Sequence, residues 1–92
     1  MKITVPKIGE IEVKDISYGQ ARELHRLNAK TFWGAQDGDE MNVDPDKYYD
    51  MLEQVRKLSG LTDKELKKYS MVEVDVILQQ ILMEYTGINP KD

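Results

Sequence analysis

The chain has 92 residues, 40% of them apolar and 33% charged, with no cysteine and a net charge of −4. That length supports one domain with a thin core, and the lack of cysteine excludes a disulfide framework, a thiolate metal site and a thiol nucleophile. The acidic balance argues against a general nucleic-acid binder, because phosphate contacts need clustered positive charge. No apolar run approaches a membrane span, and residues 1–6 lack the apolar region of a signal peptide, so neither membrane insertion nor secretion is expected.

The periodicities predict a helix-dominated α+β domain: an N-terminal β-hairpin over 1–14, then about four helices, one of them short. Residues 2–5 and 10–14 alternate polar and apolar, with Pro6-Lys7-Ile8-Gly9 of turn composition between them. Ile3, Val5, Ile11 and Val13 should share one face and dock on the helices, since an isolated hairpin is marginal in water. The first helix is expected over 17–33, opened by Ser17 with Gln20 as a capping box. Tyr18, Ala21, Leu24, Leu27, Thr31 and Phe32 form its expected inner face. Arg22, Arg26 and Lys30, spaced by four, form a basic stripe opposite.

Residues 34–44 are acidic and aperiodic and are expected to form the one long loop. Asp44-Pro45 then pairs an N-cap with a proline at the first helical position. The helix over 45–58 should turn Tyr48, Met51, Leu52, Val55 and Leu58 inward before Ser59-Gly60 closes it. Thr62 and Glu65 make a second capping box for a short helix over 63–68. Ser70 and Glu73 make a third, for a helix over 71–86 that ends at Gly87. On this last helix Met71, Val74, Ile77, Leu78, Ile81, Leu82 and Tyr85 fall on one face and should form the spine of the core.

Few residues invite chemistry. Asp37-Gly38-Asp39-Glu40 with Asp44 and Asp46 suggests calcium, but a binding loop counted from Asp37 meets Met41, Asn42 and Tyr48 at the fifth, sixth and twelfth positions, which breaks the pattern. A solvated acidic loop is the better reading. His25, the only histidine, lies at the edge of the apolar face and is expected to be packed or half-buried, with no partner nucleophile in view. The serines are accounted for as caps or turn residues, and no phosphate loop or nucleophile elbow is present. Neither a catalytic site nor a cofactor or metal is expected. A helix-turn-helix would place Arg56 where close packing needs a small residue.

More informative is a second apolar stripe on the last helix. Val72, Val76 and Met83 project away from the Ile77/Ile81 face, with Asp75 and Gln79 on one side and Glu73, Gln80 and Glu84 on the other. A surface helix normally needs one stripe. The second is covered either by this chain or by a partner, and it is a candidate surface for oligomerisation or client binding. The basic stripe of Arg22, Arg26 and Lys30 is a second candidate contact surface, for an acidic partner or phosphates, against the commoner reading of a solvated helix face.

Three segments resemble the small tail assembly chaperones of long-tailed bacteriophages: the opening residues 1–13, the turn Leu58-Ser59-Gly60-Leu61-Thr62-Asp63-Lys64-Glu65-Leu66, and the acidic aliphatic helix from Ser70 to Tyr85. The resemblance implies a noncatalytic, self-associating protein that holds the tape-measure protein and assists tail-tube assembly. It would act in the cytoplasm of the infected bacterium, be absent from the finished virion, and correspond to the short form of the chaperone. Two other classes stay open: a small adaptor or regulatory protein binding a host factor, and a nucleic-acid-binding module using the Arg22/Arg26/Lys30 stripe.

Overall fold

The computed structural model describes residues 1–33 and 42–87, with the side chains of 32, 33, 42 and 43 left aside. The fold is helix-dominated α+β. Its elements run β1 (Lys2–Val5), β2 (Gly9–Glu12), α1 (Tyr18–Thr31), β3 (Phe32–Trp33), β4 (Asn42–Val43), α2 (Pro45–Ser59), α3 (Asp63–Leu66) and α4 (Met71–Thr86). β1 and β2 form an antiparallel hairpin with Ile3 opposite Ile11 and Val5 opposite Gly9. Its turn is closed by the Ile8 N–H donating to the Val5 carbonyl at 3.0 Å. Pro6 and Lys7 occupy the central positions, and Lys7 takes a φ of 68°, the sign that a type II turn requires there.

The hairpin is half of a sandwich whose other half is helical. Ile3, Val5 and Val13 are buried against Leu24 of α1, Met51, Leu52 and Val55 of α2, and Ile77, Leu78, Ile81, Leu82 and Tyr85 of α4. Leu61 and Leu66, on either side of the Thr62 cap, close the same cluster. Each fully buried aliphatic contributes about 1.5–3 kcal/mol relative to its exposed state. Among the described residues the two buried polar side chains are satisfied locally. The Thr31 hydroxyl donates to the Leu27 carbonyl, and the Ser59 hydroxyl donates to that of Arg56, both at 2.8 Å.

The caps form as their residue types dictate. Ser17 and Gln20 exchange reciprocal bonds of 2.8 and 3.1 Å. Asp44 accepts from the N–H groups of Asp46 and Lys47, while Thr62/Glu65 and Ser70/Glu73 are complete capping boxes. Gly60 and Gly87 end α2 and α4 in the left-handed conformation, at φ 81° and 74°.

Several boundaries and faces differ from expectation. α1 stops at Thr31, because Phe32 and Trp33 pair with Val43 and Asn42 as a short ribbon. The acidic segment expected as one loop over 34–44 is therefore strand at its end, and its residues 34–41 lie outside the described part, together with most of the calcium-like cluster. α3 spans one turn, 63–66, rather than 63–68. Tyr18 is 75% exposed, as the first residue of α1, before the helix reaches the core. Met71 is likewise 70% exposed at the first position of α4. His25 is exposed on α1 instead of half-buried, because the buried side of that helix is set by Leu24 and Thr31. The side chain of Phe32, expected on the inner face of α1, is not described.

Candidate partner-binding surface

α4 has two faces of opposite fate. Ile77, Leu78, Ile81, Leu82 and Tyr85 are buried, with Val74 half-buried beside them. About half a turn round the helix, Val72 is 72% and Val76 39% exposed, and Met83 is half-buried. At 100° per residue these three lie diametrically opposite the core row. The described parts of the hairpin and of α1 therefore leave Val72 and Val76 open to solvent and Met83 partly so.

Gln79 belongs to this row. Residues 72, 76, 79 and 83 follow each other at intervals of four, three and four, so the Gln79 side chain interrupts an apolar line rather than bounding it. Its amide donates to the Tyr48 hydroxyl of α2, which fixes it across the helix pair. The signal was in the sequence as that four-three-four spacing, but a glutamine in the row reads as a separator until its partner on α2 is known. Carboxylates flank the line at Glu73, Asp75 and Glu84, and α4 carries no Lys or Arg. The Glu73 carboxylate also accepts the Ser70 N–H at 2.9 Å, so the capping box holds one flank in place.

The basic stripe is placed on the outer face of α1, but it is not a row of free cations. The Arg26 guanidinium holds Glu23 in two hydrogen bonds, one of 2.6 Å. The Glu23 carboxyl is lowered below its ordinary value, chiefly by these bonds, and Arg26 is raised in turn. Arg22 donates to the Tyr18 hydroxyl at 2.9 Å and sits 5.7 Å from the centre of that ring. Arg22 and Arg26 share a shallow groove of about 740 Å³ with Tyr18, His25, Tyr85 and Thr86, between α1 and the end of α4. Neither Lys30 nor any of Val72, Val76 and Met83 lines it. The two candidate surfaces are thus separate, and pairing with Glu23 and Tyr18 weakens the case for phosphate binding on the basic one.

Among the described residues no group of three or more His, Asp or Glu side chains converges to hold a metal ion. No helix among them is long and apolar enough to cross a membrane. No family model, curated protein or solved structure matches the chain.

Proposed function

We propose that this protein is a noncatalytic assembly chaperone that binds the tape-measure protein of a long-tailed phage and assists tail-tube assembly. It acts in the cytoplasm of the infected bacterium and associates with itself while doing so. The observation that carries this reading is the outward apolar row on α4, opposite the core, in which Val72 and Val76 are exposed and Met83 is half-buried. An apolar row on a helix already anchored through its other face suits the capture of another helix. A tape-measure protein is long, helical and prone to aggregate, and it needs such cover until the tube encloses it. The resemblance of the opening segment, the Leu58–Leu66 turn and the closing helix to phage tail chaperones supports the same reading.

The test is coexpression with the tape-measure protein of the same phage. The reading expects a rise in soluble tape-measure protein and coelution of the two chains on size exclusion. A tape-measure protein that stays equally insoluble with and without this chain would overturn it.

A further inference from the structure

We propose that the outward row of α4 docks a cationic amphipathic helix, its positive charges lying against Glu73 and Asp75. This names the chemistry of the client segment, and its assignment to a tape-measure protein rests on the chaperone reading above. The four-three-four spacing of Val72, Val76, Gln79 and Met83 is that of a coiled-coil seam, in which a facing helix inserts its own apolar residues at matching intervals. With Val76 at an a position, Glu73 and Asp75 fall at e and g, the positions that set partner choice by charge. Both are carboxylates, Glu84 adds another further along, and α4 has no base to offset them.

This charge pattern selects the occupant. A second copy of α4 brings no Lys or Arg in either orientation, so pairing like with like leaves the carboxylates unpaired or facing each other. The outward face of α1 from a second copy is cationic but lacks an apolar row. Arg22 and Arg26 occupy its middle, and Arg26 is already held by Glu23. A different chain, with aliphatic residues in its seam and Lys or Arg on both sides of them, satisfies the row and the flanks together. Gln79 adds a register mark. Its amide spends one N–H on Tyr48, and a glutamine amide has a second N–H and a carbonyl oxygen with which to pair one polar residue of the incoming helix.

The experiment uses the full chain and two synthetic three-heptad peptides with identical leucine seams, one flanked by Lys and the other by Glu. Binding is followed by fluorescence anisotropy and mapped by amide chemical shifts. The Lys peptide should bind about tenfold more tightly than the Glu peptide, with a preference that shrinks as salt is added. Its shifts should centre on residues 72–83. Asp75→Lys should remove most of the preference, and Val76→Glu should abolish binding of both peptides with unchanged far-UV circular dichroism. Should Val76→Glu not fold, Asp75→Lys decides alone, since Asp75 is outside the core and the capping box. Equal binding of the two peptides, shifts centred on the α1 groove, or a dimer of the chain that Val76→Glu dissociates would each overturn the proposal. A soluble complex with the tape-measure protein that neither variant disturbs would overturn it while leaving the chaperone reading intact. An insoluble tape-measure protein beside an intact peptide preference would do the reverse.

Discussion

The hydroxyl of Tyr85, on the last turn of α4, donates to the backbone carbonyl of Lys14, where the chain leaves the hairpin. The N–H of the same Lys14 donates to the Ser59 carbonyl at the end of α2, at 3.0 Å. One backbone unit therefore ties the hairpin to the ends of two helices. Tyr85→Phe keeps the ring in the core and removes the one side-chain bond that the described residues make to that carbonyl. The variant should lose about 1–2 kcal/mol of stability, read as a lower urea midpoint at unchanged slope.

The same tyrosine makes stability depend on alkaline pH. Burial pushes the Tyr85 hydroxyl above its ordinary value of 10.0, and the nearby Asp15 carboxylate adds to the shift. A group raised in the folded state binds its proton more tightly there than in the unfolded chain. Its contribution is complete below about pH 10 and is lost as pH rises through the folded-state value. Wild-type stability should therefore fall more steeply above about pH 10 than that of Tyr85→Phe. The quantity to measure is the difference between the two urea-midpoint curves.

Gly60 and Gly87 occupy equivalent helix ends but should not tolerate alanine equally. Both have positive φ, 81° and 74°, which costs a residue with a Cβ about 1 kcal/mol. At Gly87 nothing lies within 4 Å of an added Cβ, whereas at Gly60 that atom would meet the Lys14 side chain at 2.9 Å and its Cγ at 3.2 Å. Gly87→Ala should lower stability by about 1 kcal/mol and Gly60→Ala by about 2 kcal/mol. Thermal melts of the two variants measured side by side check the order.

Arg56 has two attachments that lysine cannot reproduce together. Its Nε lies 3.0 Å from a Glu53 carboxylate oxygen, and a terminal nitrogen donates to the Leu61 carbonyl at 3.1 Å, spanning the Gly60 turn. The hydrogen bonds from Arg56 hold the Glu53 carboxyl below its ordinary 4.5. That stabilisation is present above the unfolded value and disappears as pH falls through the folded one. Because Glu53 is half exposed, Glu53→Gln should cost less than about 1 kcal/mol at neutral pH. Arg56→Lys should cost about 1–1.5 kcal/mol, because it also frees the Leu61 carbonyl. Chemical denaturation at pH 7 and at pH 3 separates the two contributions.

The elements were legible where a local rule decides them. Ser17/Gln20, Thr62/Glu65 and Ser70/Glu73 announce helix starts, Gly60 and Gly87 announce ends, and alternation in 2–5 and 10–14 announces the hairpin. The misplacements fall where tertiary partners decide. Phe32 and Trp33 continue a helical pattern in sequence, yet pair with Val43 and Asn42 from across the acidic segment. Tyr18 and Met71 have the right spacing for the core but sit at the first position of their helices, beyond the reach of the elements packed below. The outward stripe of Val72, Val76 and Met83 could be drawn from spacing alone. Whether the chain covered it could not, because that depends on where the hairpin and α1 dock.

The hairpin's dependence on Lys14 also has a kinetic side. The bond from Tyr85 joins residues separated by 71 positions, so it forms only after most of the chain has been gathered. The helices, closed by local caps, can be in place before then. Loss of that bond should therefore speed unfolding while leaving the folding rate nearly unchanged. The hairpin would be the last part to join on refolding and the first to detach. Its amides should then exchange with solvent sooner than those of Ile77 and Ile81 at the centre of α4.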